Sequence, residues 1–221
     1  HNFLLRPNAS IGETWLADTL NNISAEIILQ SEQNIFGILD SHTTEDTFCG
    51  IDVLGDDSLA EAFISKGYSF VIAFGNVGKP DKRMEVYKTL TNLKAKFASP
   101  IAFNASVSHS ATIGQGTMVM QDAIVNAEAG IGENCIINTN ALIEHESVIG
   151  SHVHVATSVT INGQCKIGDR TFIGSGAVIA NNVNIAEDVI FLETGADIRH
   201  NADVKFGRRK EDKVLVNRQE D

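Results

Sequence analysis

The chain has 221 residues, 43% of them hydrophobic and 20% charged, with a formal net charge of −11. That length allows one large domain or two small ones with ample core, and the acidic balance argues against a general nucleic-acid or anionic-membrane surface while leaving room for a local phosphate pocket. No apolar run approaches a membrane span and the first residues form no charged-then-apolar signal, so a cytoplasmic protein is expected.

Residues 1–100 read as a small α/β domain. Phe3–Leu5 is a short apolar strand, and a loop at Asn8, Ala9 and Ser10 leads to a helical face of Leu16, Leu20, Ile23 and Ile27. Ile35–Leu39 is the next strand, ending at Asp40, and Val53–Leu54 a further short one. Ser58 and Glu61 have the spacing of a capping box at a helix start. Phe70–Phe74 reads as a buried strand ending at Gly75–Asn76, after which Pro80 can open a helix with Met84, Tyr87, Leu90 and Leu93 on its inner face. Strands alternating with helices imply a Rossmann-like parallel sheet with ligands at the strands' carboxyl ends.

Ser99–Pro100 hands the chain to a different grammar. From Ile101 to Phe191 every sixth residue is large and apolar, sixteen positions in all and fifteen of them β-branched. A second series four residues on is small or slender: Ala105, Ala111, Thr117, Ala123, Ala129, Cys135. Neither a helix nor an ordinary strand has a period of six, whereas a solenoid of flat six-residue sides does. Three sides close a triangular coil of eighteen residues, the spacing of Gly114, Gly132, Gly150 and Gly168. Glycine there suits a corner needing strained backbone or close approach. Beyond Phe191 the beat fails at Asp197, and Ile198 and Val204 suggest a register slip into an atypical last coil. The solenoid domain is thus set at 101–207, with 208–221 a charged tail. Of the three cysteines, Cys135 and Cys165 fall on slender solenoid positions and read as core, and Cys49 shares no metal-binding spacing with them.

Glu144, His145 and Glu146 stand together at mid-solenoid. Ala127 and Gly163 lie one coil to either side of His145, so its imidazole has cleared space. Either carboxylate could hold the ring proton on one nitrogen and leave the other as a base. His152 and His154 follow, but their arrangement with His145 does not reproduce the zinc histidines of γ-class carbonic anhydrases, and no metal is expected.

The stretch Asn140-Ala-Leu-Ile-Glu-His-Glu-Ser-Val-Ile-Gly150, with His154, Gly163 and Phe172-Ile-Gly-Ser-Gly176, resembles the hexapeptide-repeat sugar acyltransferases of the sialic-acid O-acetyltransferase and bacillosamine-pathway N-acetyltransferase type. Ile35–Asp40, Gly50–Gly55 and Phe70–Asn76 are similar to that family's amino-terminal nucleotide-sugar domain. The resemblance implies a left-handed parallel β-helix, a homotrimer with sites between subunits, acetyl-CoA as cosubstrate and a nucleotide-linked amino sugar as acceptor. It implies His145 as general base, Glu146 as its supporting carboxylate, and coenzyme contacts at His154, Gly163, Gly174, Ser175 and Glu193. Sugar-nucleotide contacts would fall on Ala9, Ser10, Asp40, Ser41 and Asn76. The turn Asn8-Ala-Ser-Ile-Gly12 lacks that family's usual glycines and histidine, Glu193 stands where a glycine is usual, and the closing Val-Pro-Ala motif is missing near Val216–Gln219. The expected activity is N-acetylation by direct attack on the thioester; O-acetylation of a sialic-acid-like sugar and a non-catalytic sugar-nucleotide-binding trimer are the alternatives.

Overall fold

The structure, a computed structural model, describes residues 2–6, 34–40, 45–48, 50–191 and 194–201. The expected helix over Leu16–Ile27, the charged tail, Cys49 and the candidate residues Ala9, Ser10, Ser41 and Glu193 lie outside them.

The amino-terminal region is a six-stranded sheet of β1 (Asn2–Arg6), β2 (Asn34–Leu39), β3 (Thr47–Phe48), β4 (Ile51–Gly55), β5 (Ser69–Ile72) and β6 (Lys96–Phe97), in the order β3-β4-β2-β1-β5-β6. All neighbours pair in parallel except β3 with β4. Helix α1 (Ala60–Ser65) follows a 3₁₀ turn, and α2 (Asp81–Asn92) follows Pro80. Two sequence expectations need correction. Asp56, not Ser58, caps the entry to the first helical stretch, its carboxylate accepting the Ser58 amide at 2.8 Å. The buried face of α2 carries Arg83, Val86, Tyr87 and Leu90, whereas Met84 is half-buried and Leu93 exposed. Val86, Tyr87 and Leu90 pack against Leu39, Phe70 and Ile72 of the amino-terminal sheet, while Arg83 and Tyr87 reach across to the solenoid at Gly116, Asn134 and Glu133.

The solenoid contributes sixteen two-residue strands among the described residues, from β7 (Ser106–Val107) to β22 (Asp197–Ile198). Each pairs in parallel with the strand one coil away, as Ile124 with Leu142 and Leu142 with Thr160, so one coil is eighteen residues. Three sheets result, the sides of a left-handed β-helix. The beat residue of each strand points inward; Val119, Ile137, Ile143, Val155 and Ile173 are fully buried. Each such side chain removed from water contributes roughly 2–3 kcal/mol, and the slender series lets the sides close around them. The expected slip is present: Val178 pairs with Asp197, one residue beyond the eighteen-residue step, which restores Ile198 to the interior.

The corner glycines serve close approach alone. A Cβ on Gly114 would meet the Gly132 backbone, and one on Gly132 would lie 2.7 Å from Gly150. The left-handed backbone falls elsewhere, again every sixth residue, and mostly on non-glycines: Asp122, Glu128, Asn134, Asn140, Glu146, His152.

The three faces differ outward. On the first, Ile124 and Val178 are exposed at 40% and 41%. The second presents Val148, Lys166 and Asn184. The third, with Met118, Ile136, His154 and Phe172, is covered: Met118 and Ile136 share a core with Ile38, Ile51, Val71 and Ala73 of the amino-terminal sheet. Arg83 rivets the same junction. It is 2% exposed, and its guanidinium donates to the carbonyls of Ile72 (2.5 Å), Phe74 (2.8 Å), Gly116 (3.3 Å) and Asn134 (3.4 Å). Burial among carbonyls pulls its pKa down to about 10, so it remains charged at neutral pH.

Candidate active site

His145 lies at the corner between β13 (Leu142–Ile143) of the first face and β14 (Val148–Ile149) of the second. Its Nδ1 is 3.1 Å from Oε2 of Glu146, and both side chains are about half exposed. Glu144 does different work: its Oε2 accepts the backbone N–H of His145 at 3.2 Å. Sequence adjacency left the two carboxylates open; the geometry sets Glu146 against the ring. Since an ionised carboxylate only accepts, the contact places a proton on Nδ1, and in the neutral ring Nε2 is then the nitrogen with the lone pair. One coil on, Gly163 supplies the space. A Cβ there would come within 2.6 Å of Nε2 and 2.7 Å of Cε1, so only glycine admits the ring in this position. Gln164, which the sequence reading did not single out, donates from Nε2 to the same Glu146 Oε2 at 3.1 Å.

A second cluster forms where the third face meets the amino-terminal region. His154 is 4% exposed; its Nδ1 donates to the carbonyl of Asn76 at 2.7 Å and its ring meets Phe172 edge-on. Burial pushes its pKa down to about 4, so the ring is neutral and Nε2 accepts from Asn138 Nδ2 at 3.3 Å. The candidate coenzyme residue His154 and the candidate sugar residue Asn76 are thus in direct contact. Asn76 uses its amide to donate to Gly78 O at 2.7 Å. Asp40 follows β2 at the carboxyl edge of the parallel strands, its amide donating to Gly55 O at 2.8 Å. Gly174 and Ser175 lie at the corner between the third and first faces, after β18 (Phe172–Ile173). Within one chain, therefore, His145, Glu146 and Gly163 share one corner, while His154, Gly174 and Ser175 lie a full side of the prism away.

His152 packs its ring against Tyr87 and lies 3.0 Å from Asn134 Nδ2, and burial lowers its pKa. Cys135 and Cys165 are buried, with burial raising both thiols, that of Cys135 to about 11. Among the described residues no group of three or more His, Cys, Asp or Glu is placed to hold a metal ion, and no helix is long and apolar enough to cross a membrane.

A triangular eighteen-residue coil joined to a parallel α/β sheet is a hexapeptide-solenoid architecture, and the comparisons with known proteins find the same repeat and the same fold. Residues 146–181 match the bacterial transferase hexapeptide (six repeats) family. Among solved structures, the chain is similar to PerB from Caulobacter crescentus in complex with CoA and GDP-perosamine, at 23% identity and a TM-score of 0.77 over 91% of this chain and 90% of that one. It is also similar to the acetyltransferase domain of PglB from Neisseria gonorrhoeae, at 24% identity and a TM-score of 0.75 over 92% and 94%. The same domain in complex with acetyl coenzyme A matches at 24% identity and a TM-score of 0.72 over 89% and 92%. No curated protein sequence matches the chain. The resemblance read from the sequence is borne out in the repeat and in the fold of both regions.

Proposed function

We propose that the protein is an acetyl-CoA-dependent N-acetyltransferase acting on a nucleotide-linked amino sugar, with His145 as general base. The observation that carries this reading is the half-exposed His145 ring itself, with Nδ1 3.1 Å from the Glu146 carboxylate and Nε2 in the space that Gly163 leaves open. An acceptor amine attacks the thioester carbonyl, Nε2 takes its proton, and the imidazolium returns that proton to the departing coenzyme thiolate. No covalent acyl-enzyme is required, consistent with buried thiols whose pKa values are raised. Holding amine and thioester in line supplies much of the acceleration. Glu146 acts through the imidazole, as a positioning residue.

The solved relatives support the ligands: CoA and GDP-perosamine in one, acetyl-CoA in the other. Residues 1–100 would present the sugar nucleotide at the strand ends near Asp40 and Asn76, with Ala9, Ser10 and Ser41; residues 101–207 would carry the coenzyme. A site using both His145 and the Gly174–Ser175 corner takes one from each of two copies, which favours a homotrimer with sites between subunits. Incubation with acetyl-CoA and a panel of nucleotide amino sugars, followed by thiol release, tests the reading. Release that disappears in His145→Ala, with assembly and coenzyme binding intact, is expected. No release from any amino or hydroxyl acceptor, alongside tight sugar-nucleotide binding, would replace the enzyme with a non-catalytic scaffold.

A further inference from the structure

We infer that Gln164 is a positioning residue for the His145–Glu146 pair, an inference that rests on the acyl-transfer reading above. Gln164 lies one coil beyond Glu146, and both adopt left-handed backbone, at φ 61° and 57°. Its backbone N–H donates to the carbonyl of His145 at 3.0 Å, and its Nε2 donates to Oε2 of Glu146 at 3.1 Å. That oxygen is the one 3.1 Å from His145 Nδ1. One side chain and one amide therefore grip the corner twice, at the main chain of the base and at the carboxylate that orients it.

The grip has a purpose because Glu146 is 48% exposed at its side chain. A half-exposed glutamate with several rotatable bonds otherwise samples solvent-facing rotamers, and each release frees the imidazole to place its proton on either nitrogen. A base with its proton on Nε2 cannot accept one from the acceptor. Gln164, by donating to Oε2, holds the carboxylate where the Nδ1–H tautomer is favoured. Glutamine suits the role because it donates without adding charge. The charged residues of this corner are Glu144 and Glu146, with Glu128 at the equivalent of Glu146 one coil below and Lys166 on the adjoining second face. A cation at position 164 would still donate to Oε2 and so hold the carboxylate, while offsetting part of the negative field around the ring, and a third carboxylate would repel Glu146.

Cross-coil pairs at this backbone position recur, as Asn140 with Ser158 and Arg170 with Asp188, and those rungs tie successive coils together. The Gln164 rung differs in ending on the oxygen that the imidazole shares. Its test must read the imidazole as well as stability. In the full chain labelled with ¹⁵N-histidine, with the His145 signals assigned by their loss in His145→Ala, the wild type is expected in the Nδ1–H tautomer above its pKa. Gln164→Met, similar in length but without a donor, should show a mixture of tautomers, moving toward the spectrum of Glu146→Gln. Gln164→Lys restores a donor and should restore the tautomer. In turnover, Gln164→Met should lose about ten-fold in kcat, the scale of one charge-assisted hydrogen bond, with KM for acetyl-CoA unchanged. A wild-type tautomer ratio in Gln164→Met overturns the inference, as does failure of Gln164→Lys to restore it. The spectra need no turnover: a wild type that transfers no acetyl group defeats the acyl-transfer reading and leaves Gln164 to be decided by the tautomers.

Discussion

Nδ1 of His154 lies 2.7 Å from the carbonyl oxygen of Asn76, a bond between residues 78 positions apart that ties the solenoid's third face to the strand ends of the amino-terminal sheet. Burial holds the ring neutral, with a pKa of about 4 against an ordinary 6.5. The unfolded chain therefore binds more protons between those values, and stability rises with pH across that window. The contribution is complete above about pH 6.5 and is lost as pH falls toward 4, worth roughly 3 kcal/mol for this site alone. Burial moves His152 in the same direction. Urea unfolding at pH 5 and 7.5 should show a smaller pH difference in His154→Leu than in the wild type, at a cost in absolute stability. Equal differences in the two chains would contradict a neutral buried ring.

Three glycines should give three different results when replaced by alanine. At Gly163 the new Cβ meets the end of a half-exposed side chain, so the fold survives while His145 swings out; at least a hundred-fold loss of kcat is expected with little change in Tm. At Gly132 the Cβ lies 2.7 Å from backbone, which cannot yield, and stability should fall by roughly 2 kcal/mol or more. At Gly130 the nearest atom is Thr112 Oγ1 at 3.5 Å, an ordinary contact, so the change should be within about 0.5 kcal/mol of neutral. Full activity in Gly163→Ala would contradict the placement of the ring.

Arg83 should be among the most sensitive positions outside the site. Arg83→Met keeps bulk but leaves four carbonyls without this donor, and a loss of roughly 3 kcal/mol is expected. Lysine should rescue poorly, because one ammonium cannot reproduce the planar fork. Urea denaturation followed separately by amide hydrogen exchange in β5 and in the solenoid strands should give coincident curves in the wild type and separated ones in Arg83→Met, as the two regions uncouple. Coincident curves with unchanged midpoint would deny Arg83 its role at the junction.

The solenoid was legible in the sequence because a six-residue side converts directly into a six-residue beat; even the slip before Ile198 followed from where that beat breaks. The clearing at Gly163 was legible for the same reason, since eighteen residues make one coil. What stayed hidden depends on the neighbouring layer. His154 occupies an outward strand position and becomes buried only because the amino-terminal sheet lies across that face. Arg83 reads as an ordinary helix-surface charge until the four carbonyls it satisfies are brought together from the end of β5, the segment just after it and two successive solenoid corners. The choice between Glu144 and Glu146 turns on the left-handed backbone at Glu146, a feature spread over residues as different as Asp122, Arg170 and Ser158 and so without a compositional signal.

The first face makes the assembly testable. Ile124 and Val178 are exposed at 40% and 41%, with Leu142 and Thr160 between them, on a side that shares no core with the described residues of the amino-terminal region. Inward Val125, one residue from Ile124, is 1% exposed, so the same strand carries a position for the coil and a position for a neighbour. Ile124→Asp and Val178→Asp should leave the circular dichroism of a folded β-helix intact, because an outward carboxylate stays solvated in the single chain. In a packed interface that carboxylate is desolvated without a partner, at a cost of several kcal/mol. Where the proposed trimer packs through this face, sedimentation should therefore fall from the mass of three chains to that of one, and thiol release should be lost with it. Val125→Asp should instead unfold the coil outright. A three-chain mass that persists in the Ile124→Asp, Val178→Asp double variant would move the interface off the first face, and a wild-type mass of one chain would remove it altogether.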